Sequence, residues 1–410
     1  MLQKPRGTRD FLPEEMERRR IIEQRMRDTA KRWGYREVCT PTFETLELFT
    51  MRSGEGIIQE MYTFEDKGGR ELALRPEVTA PVLRMYVNEG KVLPKPLRWC
   101  YFADCFRYER PQKGRYRQFW QFGIELIGAD SAGAEAEVIL AGYEILKNAG
   151  VQFSLHIGHL APMRAMLAGL DANVAKTVMG LLDKRDFEGL AQCLGDLGHD
   201  ELLASLTGLV QSRTIDEAFA ICGDIPEWER IEETFAILDA LDLPYTLNMG
   251  IVRGLDYYTG TVFEAFAENL GAENQIMGGG VYRLAHLFGG DDAASCGFAI
   301  GFDRVMVSLG EMALARPPVV AVLATAEART RSFEVAGAFR EAGICAELNL
   351  MDRGIGAQMK HAAKSSDFAI IIGERELAHG TVTLRNLQSG EQRECGVDEA
   401  IAGVKGVGAC

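Results

Sequence analysis

The chain has 410 residues, of which 47% are hydrophobic and 25% charged, and its net charge is −14. That length allows two or three domains, and the composition suits a globular protein with large cores. No apolar run nears the roughly 20 residues of a membrane span, so strong a negative balance argues against a generic nucleic-acid coat, and nine cysteines without a CxxC pair read as reduced thiols rather than disulfides or a zinc site.

The first ten residues are polar and basic and lack the apolar stretch of a secretory signal, so a cytoplasmic chain is expected. Residues 14–33 predict a helix: Pro13 precedes it, acidic residues open it and Gly34 caps it. Met16, Ile21, Ile22, Arg25, Met26, Thr29 and Trp33 roughly trace one face of it. YREVCTPTFETLELF turns from a short strand to a helical pattern after Pro41, and MYTFED and ELALRPE predict a hairpin around Lys67-Gly68-Gly69. Two longer strands follow, PLRWCYFADCFRYERP and RQFWQFGIELIG, joined by a basic loop over 112–117. Hairpin-linked strands favour an antiparallel sheet. Residues 131–149 predict a helix closed by Gly150, and SLHIGHLAP reads as strand then turn. The HxxH of His156 and His159 is therefore expected to be two satisfied polar side chains, not metal ligands. Residues 165–243 are rich in Leu, Ala and acids and predict a small helical insertion; glycine-rich strands return at 245, and SCGFAIGFDRVMVSL reads as strand then helix. After Pro317-Pro318 the strand–helix alternation predicts a compact domain with a mostly parallel sheet. The expected architecture is an α+β catalytic domain on an antiparallel sheet (1–164 and 244–316), a helical insertion (165–243) and a C-terminal α/β domain (317–410).

Four segments carry chemistry. In FRYERPQKGRYRQFWQFGIELIG, period-2 alternation puts Arg107 and Glu109 on one face of the first strand, and Gln121, Gly123 and Glu125 on one face of the second. Residues 95–118 hold seven Lys/Arg against two Asp/Glu, and arginine forks suit phosphate. Alternation alone also describes a sheet face turned to solvent. RGLDYYTGTVFE places Gly254 beside Arg253 and puts Tyr257 and Tyr258 on opposite strand faces. In LRPEVTAP, Glu77 and Thr79 would share one strand face, where a carboxylate and a hydroxyl meet an ammonium group. GFAIGFDRV sets Arg304 behind a glycine-flanked strand.

FRYERPQKGRYRQFWQ resembles motif 2 of class II aminoacyl-tRNA synthetases in its histidine-specific form. RGLDYYTGTVFE resembles the segment that sets histidyl-tRNA synthetases apart, GFAIGFDRV resembles motif 3, and the stretch from Tyr35 to Leu48 has the form of motif 1. The C-terminal domain resembles the anticodon-binding domain of the histidyl, glycyl, threonyl and prolyl enzymes. The resemblance covers nearly the whole chain. It implies a ligase that activates L-histidine with ATP and Mg²⁺ and esterifies it onto tRNA(His), working as a homodimer through motif 1. Arg107 and Arg253 would be catalytic, holding the α-phosphate, with Arg107 also on the substrate carboxylate. Glu109 would sit by the adenine, Arg115 would reach the ATP phosphates or the tRNA acceptor end, and Arg304 would lie against adenine and γ-phosphate. Glu77 and Thr79 would bind the amino group, Gln121 and Glu125 the histidine, and Tyr257 and Tyr258 would enclose the imidazole. Two positions depart from the family: Val78 stands where many bacterial members have glycine, and in GGGVYRL an arginine, Arg283, replaces the usual aspartate, which leaves Tyr282 without an inherited role. A related class, the synthetase-like regulatory subunit of ATP phosphoribosyltransferase, usually lacks the anticodon domain and loses the ATP-binding arginines. Residues 318–410 and Arg107, Arg253 and Arg304 point away from it.

Overall fold

The computed structural model describes residues 2–53, 55–109, 115–252, 258–271, 274–310 and 317–407. The chain divides into two compact units, Met1–Met312 and Ala313–Cys410.

The first unit opens with helix α1 (Pro13–Arg32), started by proline and charged to match its dipole, with Glu14 and Glu15 in the first turn and Lys31 and Arg32 in the last. Its buried stripe is Arg19, Ile22, Glu23, Met26, Thr29 and Ala30. The expected face was thus centred correctly but missed two charged members, which are buried because they are paired. Short strands β1 (Arg36–Glu37) and β2 (Phe43–Thr45) lead to α2 (Leu46–Ser53). The predicted hairpin is β3 (Thr63–Glu65) with β4 (Glu71–Leu74), and β2, β4 and β3 form a small antiparallel sheet. Helix α3 (Thr79–Met85) then precedes the long hairpin β5 (Leu97–Phe106) and β6 (Gln118–Ile127). Helix α4 (Ala132–Ala149) is capped by the Ser131 side chain and closed by Gly150 at φ +92°.

Strand β7 (Ser154–His159) runs straight into α5 (Leu160–Leu167). The His159 ring accepts from the Ala161 N–H at 3.1 Å as the cap of that helix, and burial pushes its pKa down to about 3. Helices α6 (Ala172–Asp183), α7 (Phe187–Asp196), α8 (Asp200–Gln211) and α9 (Ile215–Cys222) follow, with α7 packed on α6, α8 on α7 and α9 on α8. Helix α10 (Trp228–Ala240) instead lies on α4, where Arg230 meets the buried Glu135 at 2.8 Å. The remaining elements are β8 (Thr246–Leu247), β9 (Tyr258–Phe266), β10 (Gln275–Tyr282), β11 (Ser295–Gly301) and α11 (Phe302–Leu309).

Eight strands form one sheet in the order β1-β5-β6-β11-β10-β9-β7-β8. Its central pairings are antiparallel, as expected, and only the edge pairs β1/β5 and β7/β8 are parallel. Helix α4 packs on one face, with α1 and α10 outside it. On the other face a cluster around Val82, Leu83, Tyr86, Tyr101 and Tyr282 seals α3 to the sheet and leaves an opening beside it.

The second unit contains β12 (Val319–Ala324), α12 (Arg329–Glu341), β13 (Cys345–Leu348), α13 (Ile355–Ser365), β14 (Phe368–Ile372), α14 (Glu374–His379), β15 (Val382–Asn386), β16 (Gln392–Cys395) and α15 (Val397–Val407). The strand order is β13-β12-β14-β15-β16. The expected mostly parallel sheet is corrected to a mixed one: β15 runs antiparallel to β14 and β16 antiparallel to β15. The link from β15 to β16 is too short for a crossover helix, so that pair can only be a hairpin.

Candidate active site

The site is built on a floor of small residues. Across β6, β11 and β10 the register aligns Glu125 with Gly297 and Gly280, and Gly123 with Ala299 and Gly278. Strand side chains alternate, so these rows share one face. A Cβ at Gly297 would lie 1.9 Å from a Glu125 carboxylate oxygen, and one at Gly280 would meet the Tyr258 ring at 2.9 Å. Glycine at both positions makes room for the side chains beside it. The every-other-residue glycine and alanine of GGG and GFAIG is a sequence signal for this floor that the sequence reading did not use.

Glu125 ends the pocket and is 1% exposed. One carboxylate oxygen accepts from the Thr79 hydroxyl at 2.9 Å and, more weakly, from Tyr101 at 3.5 Å. The other accepts a close hydrogen bond from the Tyr282 hydroxyl. Burial pushes the Glu125 pKa up to about 8, opposed by the hydroxyl bonds from Tyr282 and Thr79. Tyr282 is itself buried and its phenol is held well above its usual pKa, by burial first and by Glu125 second. The residue left without a role in the sequence is therefore a direct partner of the Glu125 carboxyl. Its substituted neighbour Arg283 turns outward to Asp130 and Asp292.

The expectation for Glu77 and Thr79 is corrected. They do not lie on a strand: β4 ends at Leu74, and Thr79 is the first residue of α3. The Glu77 carboxylate accepts from the Thr79 N–H at 2.7 Å and the Ala80 N–H at 3.1 Å, so it caps that helix. Both side chains still line the pocket. Arg75 was not singled out in the sequence. It is buried, bonds Asp104 and the Thr40 carbonyl, and so fastens this segment to β5.

The Glu125 pocket has a volume of about 130 Å³ and is lined by Glu77, Thr79, Arg107, Gln121, Tyr258 and Tyr282 among others. It opens into a cleft of about 700 Å³. Arg107, Gln121, Tyr258, Gly278 and Ala299 line both spaces. Arg107 and Glu109 lie just past the end of β5 rather than within it, though the Arg107 N–H still pairs with the Arg117 carbonyl at 2.9 Å. The Arg107 Nε donates to the Pro76 carbonyl at 3.0 Å, and its guanidinium stands 5.0 Å from the Phe119 ring centre. In the larger cleft, Arg115 pairs with Glu109, and Arg304 donates to the Gln275 carbonyl at 2.7 Å. Arg107, Glu109, Arg115 and Arg304, far apart in sequence, thus line one cleft. Arg253 and Tyr257, and residues 110–114 of the motif 2 stretch, lie outside the described residues.

A narrow pocket ending on a buried carboxyl, opening past an arginine into a cleft with further arginines, fits a small polar ligand beside a polyphosphate. A family model described as histidyl-tRNA synthetase matches residues 7–305, and one described as anticodon binding domain matches residues 318–406. The chain belongs to the histidyl-tRNA synthetase family. It is 67% identical to the histidine–tRNA ligase of Methanoculleus marisnigri over 410 residues, covering 100% of both chains. The solved apo S. aureus histidyl-tRNA synthetase superposes with a TM-score of 0.74 at 28% identity, over 98% of this chain and 100% of that one. A Bacillus halodurans structure described as an ATP phosphoribosyltransferase regulatory subunit/histidyl-tRNA synthetase superposes with a TM-score of 0.79 at 25% identity, over 91% and 97% of the two chains. The regulatory-subunit reading is not favoured: the 67% identical relative is a ligase matched end to end.

Proposed function

We propose that this chain is a class II histidine–tRNA ligase that forms histidyl-adenylate and pyrophosphate, then esterifies histidine onto the 3′-terminal ribose of tRNA(His). One observation carries the reading: the Glu125 pocket and the nucleotide-sized cleft share Arg107 as a common wall. In the first step a histidine carboxylate oxygen attacks the α-phosphorus of ATP. The bond to the bridging oxygen breaks, and pyrophosphate leaves with its electron pair. Little covalent work falls to the protein, so positioning and charge stabilisation dominate. Arg107, at the seam, serves carboxylate and α-phosphate together, with Arg253 as the second guanidinium. Arg304 and Arg115 take the outer phosphates, and Glu109 the adenine end. Glu77 and Thr79 meet the ammonium group, and Gln121, Tyr257 and Tyr258 enclose the ligand. In the second step the ribose hydroxyl attacks the adenylate carbonyl and AMP leaves.

Selection of histidine follows from Glu125. A neutral imidazole offers one donor and one acceptor, and a carboxyl with pKa near 8 can share a proton with it. Ligands without those groups would leave Glu125 and Tyr282 unpaired, which is a strong basis for rejection. Mg²⁺ is read as acting with Arg304 on the nucleotide's far phosphates. We read 1–164 with 244–316 as the catalytic domain, 165–243 as the insertion and 317–410 as the anticodon-binding domain. We also read the chain as a cytoplasmic homodimer joined through Tyr35 to Leu48. ATP–pyrophosphate exchange with each amino acid in turn tests the function. Exchange with histidine alone is expected, and exchange with another amino acid or with none overturns it.

A further inference from the structure

The segment before α1 is bonded to the walls of the larger cleft. Gly7 adopts a left-handed conformation, φ +84°, which favours glycine. It closes a turn in which the Thr8 hydroxyl donates to the Pro5 carbonyl at 2.8 Å. The Gly7 carbonyl accepts the Arg117 N–H at 2.9 Å, and the Arg117 carbonyl accepts the Arg107 N–H at 2.9 Å. One backbone relay therefore runs from this segment to the arginine at the seam.

Side chains make a second link. The Arg9 guanidinium lies 3.4 Å from the centre of the Tyr116 ring, and Tyr116 lines the cleft next to Arg115. Arg9 also pairs with Asp303, which accepts from Arg19 of α1 at 2.8 Å. The other Asp303 oxygen accepts the Trp120 N–H at 2.8 Å. Asp303 is 2% exposed, lines the cleft, and immediately precedes Arg304. Phe11 meets Trp120 edge-on at 5.5 Å. A single buried carboxylate thus joins the N-terminal segment, α1, the entry to β6 and the start of α11. Two guanidinium groups on one carboxylate leave a local excess of positive charge beside the cleft.

We propose that Arg9 and Asp303 are positioning residues of the ATP site. The segment from Pro5 to Phe11 acts as a strap that holds Arg115–Arg117, and through them Arg107, in register with Arg304. This rests on the cleft being the ATP site. Phosphate-binding guanidinium groups aid the reaction in proportion to how well they are held beforehand, and arginine stacked on an aromatic ring is held in a way lysine is not.

The test is histidine-dependent ATP–pyrophosphate exchange on the full chain, with ATP and histidine varied separately. Arg9→Ala should raise KM for ATP about tenfold, leave KM for histidine within about twofold, and hold Tm within about 3 °C. Arg9→Lys, which keeps the charge for Asp303 but not the stack, should recover only part of the loss. Tyr116→Leu leaves the Asp303 pairs intact and should show the same split; it carries the test if Arg9→Ala does not fold. Combining the two should cost no more than the larger single effect. Equal rises in both KM values, or no change in either, would overturn the strap. Absence of exchange by the unaltered chain would instead overturn the function on which it rests.

Discussion

At one end of the site the Glu125 carboxyl is 1% exposed and is held by the hydroxyls of Thr79, Tyr282 and Tyr101. At the other, Arg107, Arg115 and Arg304 stand around an open cleft of about 700 Å³. Under the proposed function the small pocket would recognise by burial: its polar groups are preformed and costly to leave unmatched. The cleft would recognise by permanent charge, which tolerates water and a change of ligand from ATP to pyrophosphate. An enzyme that must reject amino acids, yet release a series of phosphates, needs one compartment of each kind.

Breaking the buried end should have the largest effect. Glu125→Ala is expected to lower kcat/KM for histidine in pyrophosphate exchange by about 10³-fold, with an unchanged circular dichroism spectrum; near-normal exchange would remove Glu125 from the specificity role. Tyr282→Phe deletes one hydrogen bond to that carboxyl and should cost about 10–100-fold in the same quantity, with KM for ATP barely moved. If both KM values shifted together, Tyr282 would be no more than core packing. At the charged end, Arg304→Ala should raise KM for ATP about tenfold and spare histidine binding, as equilibrium dialysis with labelled histidine would show.

The smallest effect sharpens the contrast through pH. Glu125 titrates near 8 in the folded chain against an ordinary 4.5. The folded state therefore binds the extra proton between those values, and stability falls as pH rises through that window. His159 has the opposite sign: with its pKa near 3 against 6.5, its contribution grows as pH rises and is complete above 6.5. From pH 6.5 to 8 the Glu125 share, about 2 kcal/mol, remains uncancelled by His159. Denaturant unfolding at those two pH values should show a loss in the unaltered chain that Glu125→Gln lacks. Equal pH slopes for the two proteins would place the Glu125 pKa in the ordinary carboxylate range.

Local rules made much of the scaffold legible. Pro13, the acidic first turn and Gly34 bounded α1, and hairpin-linked strands foretold the antiparallel centre of the sheet. Alternation put Gln121 and Glu125 on one face, and both line the pocket. Alternation failed at Glu77 and Thr79, because a carboxylate that can cap a helix competes with extended backbone and the segment turned into α3. It failed again at the C-terminal sheet, where strand–helix rhythm gave no warning of the closing hairpin.

The sequence by itself determined the family, the order of the elements and the identity of the charged residues, since motif spacing and hydrophobic period are local properties of the chain. Only the tertiary structure decided that Tyr282 meets Glu125 across 157 positions and that Arg9 and Arg19 share Asp303 across nearly three hundred. It alone showed that the glycines of β10 and β11 hollow out the pocket floor. Those facts depend on strand register and on which side chains burial forces together, and a linear pattern carries neither.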